Sequence, residues 1–219
     1  MKEKEYKLKI LKIDFVTPEV KRFVFEKPKN YKFIPGQAVD TSINNNEFRK
    51  EKRPFTFTSK NTDLVLEFIM KRYDGMTKNF HELNPGDEII IGEPFGTINY
   101  KGEGTFIAGG AGITPFIAIL RSLGKNIGNN RLIFSNKTRK DIICENELLD
   151  IFGDNVKFLI TDEEVDGYVN GRIYENFLKK EIPQFDQYFY ICGPPAFVTD
   201  VKNNLIKLGA KEGKIITEK

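Results

Sequence analysis

Two patterns of apolar and polar positions meet near residue 100. Before it, short runs alternate with period two, which is the mark of half-buried strands. Tyr6, Leu8 and Ile10 alternate with Lys7 and Lys9; Leu11, Ile13 and Phe15 then alternate with Lys12 and Asp14, so the pattern slips by one residue. Such a slip predicts a bulge or a strand that changes face. Alternation returns at 21–26, at 36–43 after a P-G turn, at 54–59, at 64–70 and at 86–92. Six strands with turn signals at short intervals predict an antiparallel six-stranded β-barrel as the first domain, residues 1–100.

After the polar connector N-Y-K-G-E-G the pattern changes. Strands at 105–108, 131–135, 156–160, 188–192 and 214–217 alternate with a helix ending at Gly124 and with helices at 142–152, 173–180 and 196–208. This βαβ alternation predicts a second domain, residues 101–219, with a parallel sheet between two helical layers. Ligands on such sheets bind beyond the carboxyl ends of the strands. The turns after Ala108, Ser135, Ile160 and Cys192 all fall there.

Composition narrows the chemistry. The 219 residues carry 34 basic and 31 acidic side chains, a net charge of +3 without a long basic block. Nucleic-acid binding is therefore not expected, although a local basic patch for an acidic partner is compatible with these numbers. The polar start and the lack of a membrane-length apolar run predict a cytoplasmic protein without membrane insertion. Cys144 and Cys192 are far apart and no C-x-x-C occurs, so neither an iron–sulfur cluster nor a metal site is expected. The single histidine, His81, sits in K-N-F-H-E-L and reads as part of a short surface helix, which disfavours a hydrolase needing it as base. Hydride transfer to an organic cofactor is a chemistry that needs little side-chain acid or base.

Four stretches combine residue types suited to such a cofactor, and each alone also fits a bland alternative. In T-F-I-A-G-G-A-G-I-T-P-F, a strand runs into Gly109, Gly110 and Gly112 and then a helix, with Thr114 as N-cap and Pro115 at the first helical position. Glycines and a helix start bring backbone N–H groups to a phosphate, but a merely tight connection has the same pattern. R-P-F-T, Arg53 to Thr56, places a phosphate-pairing arginine, an aromatic face and a hydroxyl on one strand; the alternative is an aromatic edge strand with a surface arginine. K-R-Y-D-G-M-T-K-N-F opens a helix through Gly75, Met76 and Thr77, either as a second anion site or as a plain cap. Y-F-Y-I-C-G-P-P-A-F delivers Cys192 to a strand end before the rigid turn of Gly193, Pro194 and Pro195, where an inert buried cysteine is the usual reading.

Taken in order, R-P-F-T, G-M-T, P-F-G at Pro94 to Gly96, G-G-A-G-I-T-P-F and C-G-P-P resemble the ferredoxin-NADP reductase superfamily. The likeness is closest to the compact flavodoxin or ferredoxin reductases and the reductase components of oxygenases. The resemblance implies an FAD-binding barrel followed by an NAD(P)-binding α/β domain, with NADH or NADPH as co-substrate. It implies that Arg53 holds a flavin phosphate, that Pro54 and Phe55 flank the flavin and that Thr56 stands near flavin N5. The backbone around Lys71 and Tyr73 would line the ribityl chain, and Gly75, Met76 and Thr77 would cradle the FAD pyrophosphate. Gly110, Gly112, Thr114 and Pro115 would meet the nicotinamide nucleotide, with Cys192, Gly193 and Pro194 beside the nicotinamide. Thr56, Cys192 and Glu218 would then be the residues nearest the reaction.

Two positions depart from the family pattern. Phe55 stands where the family usually has tyrosine, and I-I-T-E-K lacks the aromatic that follows Glu and a basic residue in relatives. Thr161, Asp162 and Glu163 follow the third strand of the α/β domain, where carboxylates repel a 2′-phosphate and accept bonds from a free ribose hydroxyl. Lys137, Arg139 and Lys140 after the second strand argue the other way, and the balance leans to NADH. Arg49, Lys50, Lys52 and Arg72 lie near the flavin motifs, and the expected electron acceptor is a separate acidic carrier, flavodoxin or ferredoxin, or an oxygenase component. Two alternatives are a flavin reductase that uses loosely bound flavin as substrate and a non-catalytic electron-relay subunit.

Overall fold

The computed structural model describes residues 4–96 and 98–218, and the chain folds as two units. The first comprises residues 1–99 and 114–122. Its strands are β1 (Tyr6–Thr17), β2 (Val20–Glu26), β3 (Gln37–Ile43), β4 (Arg53–Thr56), β5 (Val65–Lys71), β6 (Glu88–Ile91) and the two-residue β7 (Phe95–Gly96). Helix α1 (Met76–His81) lies between β5 and β6, and α2 (Thr114–Leu123) joins from further along the chain. Six strands follow the order β4-β3-β6-β1-β2-β5, every pair antiparallel, and β7 adds to β3. Just past β4, the Thr58 N–H donates to Glu67 O of β5 at 2.9 Å, which links the two ends of that path.

The slip in β1 is a register shift. Ile10 pairs with Phe25 but Lys12 with Val24, and the strand changes partner at the same point, residues 6–9 bonding β6 and the remainder β2. Leu8 and Ile10 enter the core, whereas Leu11 and Phe15 stay exposed. One strand thereby serves two neighbours, as a bulge permits. Phe23, Phe25, Phe57, Phe68 and Phe80 fill the interior, with Phe33 stacked on Phe57 at 4.2 Å between centroids. His81 belongs to this interior and not to the surface the sequence suggested. It is 8% exposed, its Nε2 lies 2.9 Å from Met70 O and its ring meets Phe23 edge to face.

The second unit comprises residues 100–113 and 123–219. Its strands are β8 (Gly104–Gly109), β9 (Arg131–Asn136), β10 (Val156–Ile160), β11 (Val169–Asn170), β12 (Tyr188–Cys192) and β13 (Ile215–Thr217), all parallel, in the order β11-β10-β9-β8-β12-β13. The helices are α3 (Glu145–Phe152), α4 (Glu175–Glu181) and α5 (Pro195–Lys207). Helix α3 begins three residues later than its apolar pattern suggests, because a short 3-10 turn occupies 139–141 and Cys144 takes a left-handed conformation with φ 57°. From β8 the chain builds outward to β11, then returns to place β12 on the opposite side of β8. That reversal opens a crevice between the carboxyl ends of β8 and β12, the usual place for a ligand on an open parallel sheet. Tyr190 pins the start of β8: its hydroxyl accepts from the N–H groups of Lys101 and Gly102 and donates to Gly102 O at 2.7 Å.

Candidate functional site

Most of the residues singled out by sequence lie on β4, on the turn after β5, on the turns after β8, β10 and β12, and at the start of α2. In the first unit, Pro54 of β4 has no N–H to donate, which a strand at the end of the strand order tolerates. Arg53 and Pro54 are exposed, and Arg53 has no ion pair among the described residues; its guanidinium only donates to Lys52 O at 2.9 Å. Phe55 is half-buried, with its ring 5.2 Å from Phe80 and 6.0 Å from Phe68. Thr56, next along the strand and so on the other face, is 9% exposed. Its hydroxyl makes no hydrogen bond among the described residues. The residue is nearly buried while its hydroxyl keeps some exposure, so the hydroxyl is open to a ligand atom placed against it.

The turn after β5 offers backbone more than side chains. Lys71 Nζ pairs with Glu19 at 3.1 Å and lies 5.9 Å from the ring of Tyr73, which is exposed. The Thr77 hydroxyl is committed to the turn, accepting from Tyr73 N–H at 2.9 Å and donating to Tyr73 O at 3.1 Å. Met76 points into the core at 5% exposure. Gly75 has φ 91°, and a side chain there would meet nothing within 4 Å, so its backbone faces open space. What this segment can give a phosphate is N–H groups and the charge of Lys71.

In the second unit the glycine turn meets the end of β12. Gly110–Ile113 forms a 3-10 helix that runs directly into α2, so Thr114 starts an existing helical run instead of capping a free end, and Pro115 is buried within it. A side chain on Gly112 would lie 2.4 Å from Cys192 O and 2.6 Å from Gly193 N, so only glycine lets the turn close on that strand. A side chain on Gly110 would enter open space. Gly193 lies against Gly109 N and the ring of Phe197, and Pro194 caps α5 at the exposed rim. Cys192 is 5% exposed, with Sγ 3.6 Å from Glu218 Oε2. Burial first, then the neighbouring carboxylate, pushes its thiol up to about 12, so it stands as a neutral group at physiological pH. Glu218 itself is exposed, and the terminal Lys219 lies outside the described residues.

The turns after β9 and β10 interlock. Asp162 is exposed, accepts from the Thr161 hydroxyl at 2.6 Å and donates its N–H to Lys137 O. Glu163 accepts from the Arg139 N–H at 2.6 Å, while the Arg139 side chain reaches Glu145 at 3.3 Å and lies over the Tyr168 ring. Arg139 is thus already engaged by a carboxylate. One residue escaped the sequence reading. Asn136, the last residue of β9, is 5% exposed, and neither its amide nitrogen nor its oxygen has a partner among the described residues. An orphaned buried amide at a strand's carboxyl end fits a ligand group that would satisfy it. Its signal was the polar pair Ser135–Asn136 closing the apolar run L-I-F of β9.

An oxidoreductase FAD-binding domain matches residues 7–100 and an oxidoreductase NAD-binding domain matches residues 106–203. These two domains together define the class of pyridine-nucleotide-dependent flavin oxidoreductases. NADH-cytochrome b5 reductase 2 of Mycosarcoma maydis is 28% identical over 84% of this chain and 62% of its own length. The reductase component of propane 2-monooxygenase from Rhodococcus jostii is 27% identical over 98% of this chain and 63% of its own. The chain therefore spans somewhat less than two thirds of these two relatives. A ferredoxin NADP+ reductase from Neisseria gonorrhoeae, solved with FAD and NADP bound, shares the fold with a TM-score of 0.86 over 99% of both chains at 22% identity. The chain belongs to the ferredoxin-NADP reductase superfamily.

Proposed function

We propose that the chain passes hydride from NADH to FAD and then electrons, one at a time, to a separate carrier. The observation that carries this reading is the closure of the Gly110–Gly112 turn on Cys192 and Gly193 at the sheet's reversal point, within the NAD-binding match. FAD, when bound, supplies the exchange between two-electron and one-electron chemistry. The protein's own part is to hold, orient and exclude water. In the barrel unit Arg53 meets a flavin phosphate, Pro54 and Phe55 border the ring system and Thr56 directs its free hydroxyl to N5. Lys71, Tyr73 and the backbone of Gly75, Met76 and Thr77 line the ribityl and pyrophosphate. Gly110 and Gly112 of the α/β unit, with Thr114 and Pro115 at the start of α2, receive the dinucleotide phosphates, and Asn136 satisfies its amide on the adenosine half. Cys192, neutral and apolar, with Gly193 and Pro194, forms a wall for the nicotinamide, and Glu218 borders it.

The engagement of Arg139 by Glu145, together with exposed Asp162 and Glu163, supports NADH over NADPH. Exposed Arg49, Lys50 and Arg72 support an acidic acceptor such as flavodoxin, ferredoxin or an oxygenase component. Lys52 is less available, since it pairs with Glu5 at 3.0 Å. Among the described residues no helix is long and apolar enough to cross a membrane. Cys144 and Cys192 both stand as thiols, in keeping with the reducing, cytoplasmic setting proposed.

The test is an anaerobic titration. FAD-loaded protein should bleach on addition of NADH, with a higher kcat/KM for NADH than for NADPH. A colourless protein that reduces added flavin would replace this reading with the flavin reductase, and FAD-loaded protein that stays yellow with both nucleotides would leave an electron-relay subunit.

A further inference from the structure

Helix α2 continues the glycine turn without a break, yet residues 114–122 belong to the barrel unit. A polar network holds it there. Arg121 Nη1 donates to Glu67 Oε1 at 2.6 Å and to Thr58 O at 2.8 Å. Glu67, on β5, also accepts from the Thr58 hydroxyl at 2.8 Å, and its other oxygen lies 3.4 Å from Arg22 Nε of β2. The Arg121 and Glu67 side chains are only 17% and 14% exposed. Ile119 adds an apolar contact, its Cδ1 3.1 Å from where a side chain on Gly36 would begin.

None of these groups is called on by the chemistry above. Apolar burial alone is non-directional and would let α2 turn or slide on the barrel, whereas one guanidinium nitrogen bonded to both a carboxylate and a carbonyl fixes its position. Arg121 lies two turns, roughly 10 Å, from the start of α2. Over that length a helix is stiff, so an anchor near its end governs where its first turn stands.

We infer that the Glu67–Arg121 pair, with Thr58 and Arg22, is a positioning device that steadies the dinucleotide glycine turn through the helix that continues it. This rests on the reading that residues 110–112 receive NADH. The pair acts through α2 and touches no reactant, so it differs from Thr56 or Cys192 in what its loss does. Removing it leaves the cofactor-binding surfaces chemically intact and loosens the helix on which the turn is mounted.

The experiment compares FAD-loaded wild type with Arg121→Met and with the double variant E67M/R121M, in which two apolar side chains of similar length replace the ion pair. Amide hydrogen exchange should rise in peptides covering 110–123 and stay unchanged in β10 through α5. Rapid-mixing kcat for flavin reduction by NADH should fall by about tenfold or more, with the KM for NADH and the FAD affinity little changed. The double variant should recover the wild-type unfolding midpoint while keeping both defects. Wild-type exchange and rate in the double variant would overturn the inference. So would exchange that rises throughout the barrel together with lost FAD affinity, which would mark a purely structural pair. Failure of wild type itself to be reduced by NADH would sink the functional reading instead, and the exchange pattern would still report whether the pair holds the turn.

Discussion

Replacing Gly112 by alanine puts the closure of the glycine turn to a quantitative test. The added carbon would stand 2.4 Å from the Cys192 carbonyl oxygen, 2.5 Å from its carbon and 2.6 Å from Gly193 N, where ordinary contact begins at 3.4 Å. All three are backbone atoms of a strand end paired to β8, since Cys192 is in register with Ala108, so no side chain can swing aside. The turn must retreat by about 1 Å, the difference between 3.4 and 2.4 Å. Overpacking of this kind costs about 1–3 kcal/mol, and the rigid neighbours place G112A toward the upper end. A 1 Å displacement of a positioned reactant costs on the order of 100-fold in rate. Gly110→Ala is the contrast, because space there is open but φ is 52°. Left-handed strain of about 1 kcal/mol is expected, and the methyl would project where a phosphate is proposed to sit. Urea unfolding and stopped-flow reduction by NADH separate the two. G112A should lose both stability and hydride-transfer rate, whereas G110A should lose mainly NADH affinity, and FAD affinity should hold in both. Wild-type stability and rate in G112A would refute the argument that this approach of turn to strand is required.

Two titrations extend the test. Burial first, then Lys21 and Arg72, hold His81 below its ordinary 6.5, against a raising contact with Met70 O. Its contribution to stability is therefore fully present above about pH 6.5 and is lost as pH falls toward the depressed value, because the unfolded chain takes up the proton first. The urea midpoint should drop between pH 7 and pH 5, and His81→Gln should flatten that part of the profile; an unchanged slope would remove His81 as its source. Cys192 has the opposite sign: with its thiol raised from 9.0 to about 12, stability is present below pH 9 and declines as pH climbs through that interval. Alkylation of Cys192 by iodoacetamide should be very slow at pH 8.5, and Glu218→Gln, which removes a neighbouring negative charge, should speed it; equal rates in both proteins would show that the carboxylate does not act on the thiol.

Much of this architecture could be read before the fold was known. Period-two alternation in Tyr6–Ile10 and its slip at Leu11 foretold a bulged strand, because the side-chain period of a strand is a local property and a one-residue insertion must show in it. The strand, glycine turn and helix from Thr105 to Leu123 were equally legible, since backbone freedom at Gly110 and a helical apolar run are local as well. Boundaries slipped where local conformation interrupted a good pattern, as at left-handed Cys144 before α3.

The tertiary structure alone decided which segments became neighbours. Nothing in Y-F-Y-I-C-G-P-P says that β12 lies beside β8 and not beside β10, yet that pairing brings Cys192 onto Gly112. Burial of His81 against Met70 O, the unpartnered amide of Asn136 and the capture of Arg121 by Glu67 likewise depend on residues distant in sequence. A side chain's chemistry is written in its own position, but its desolvation, its partners and the space left around it are set by what the rest of the fold packs against it.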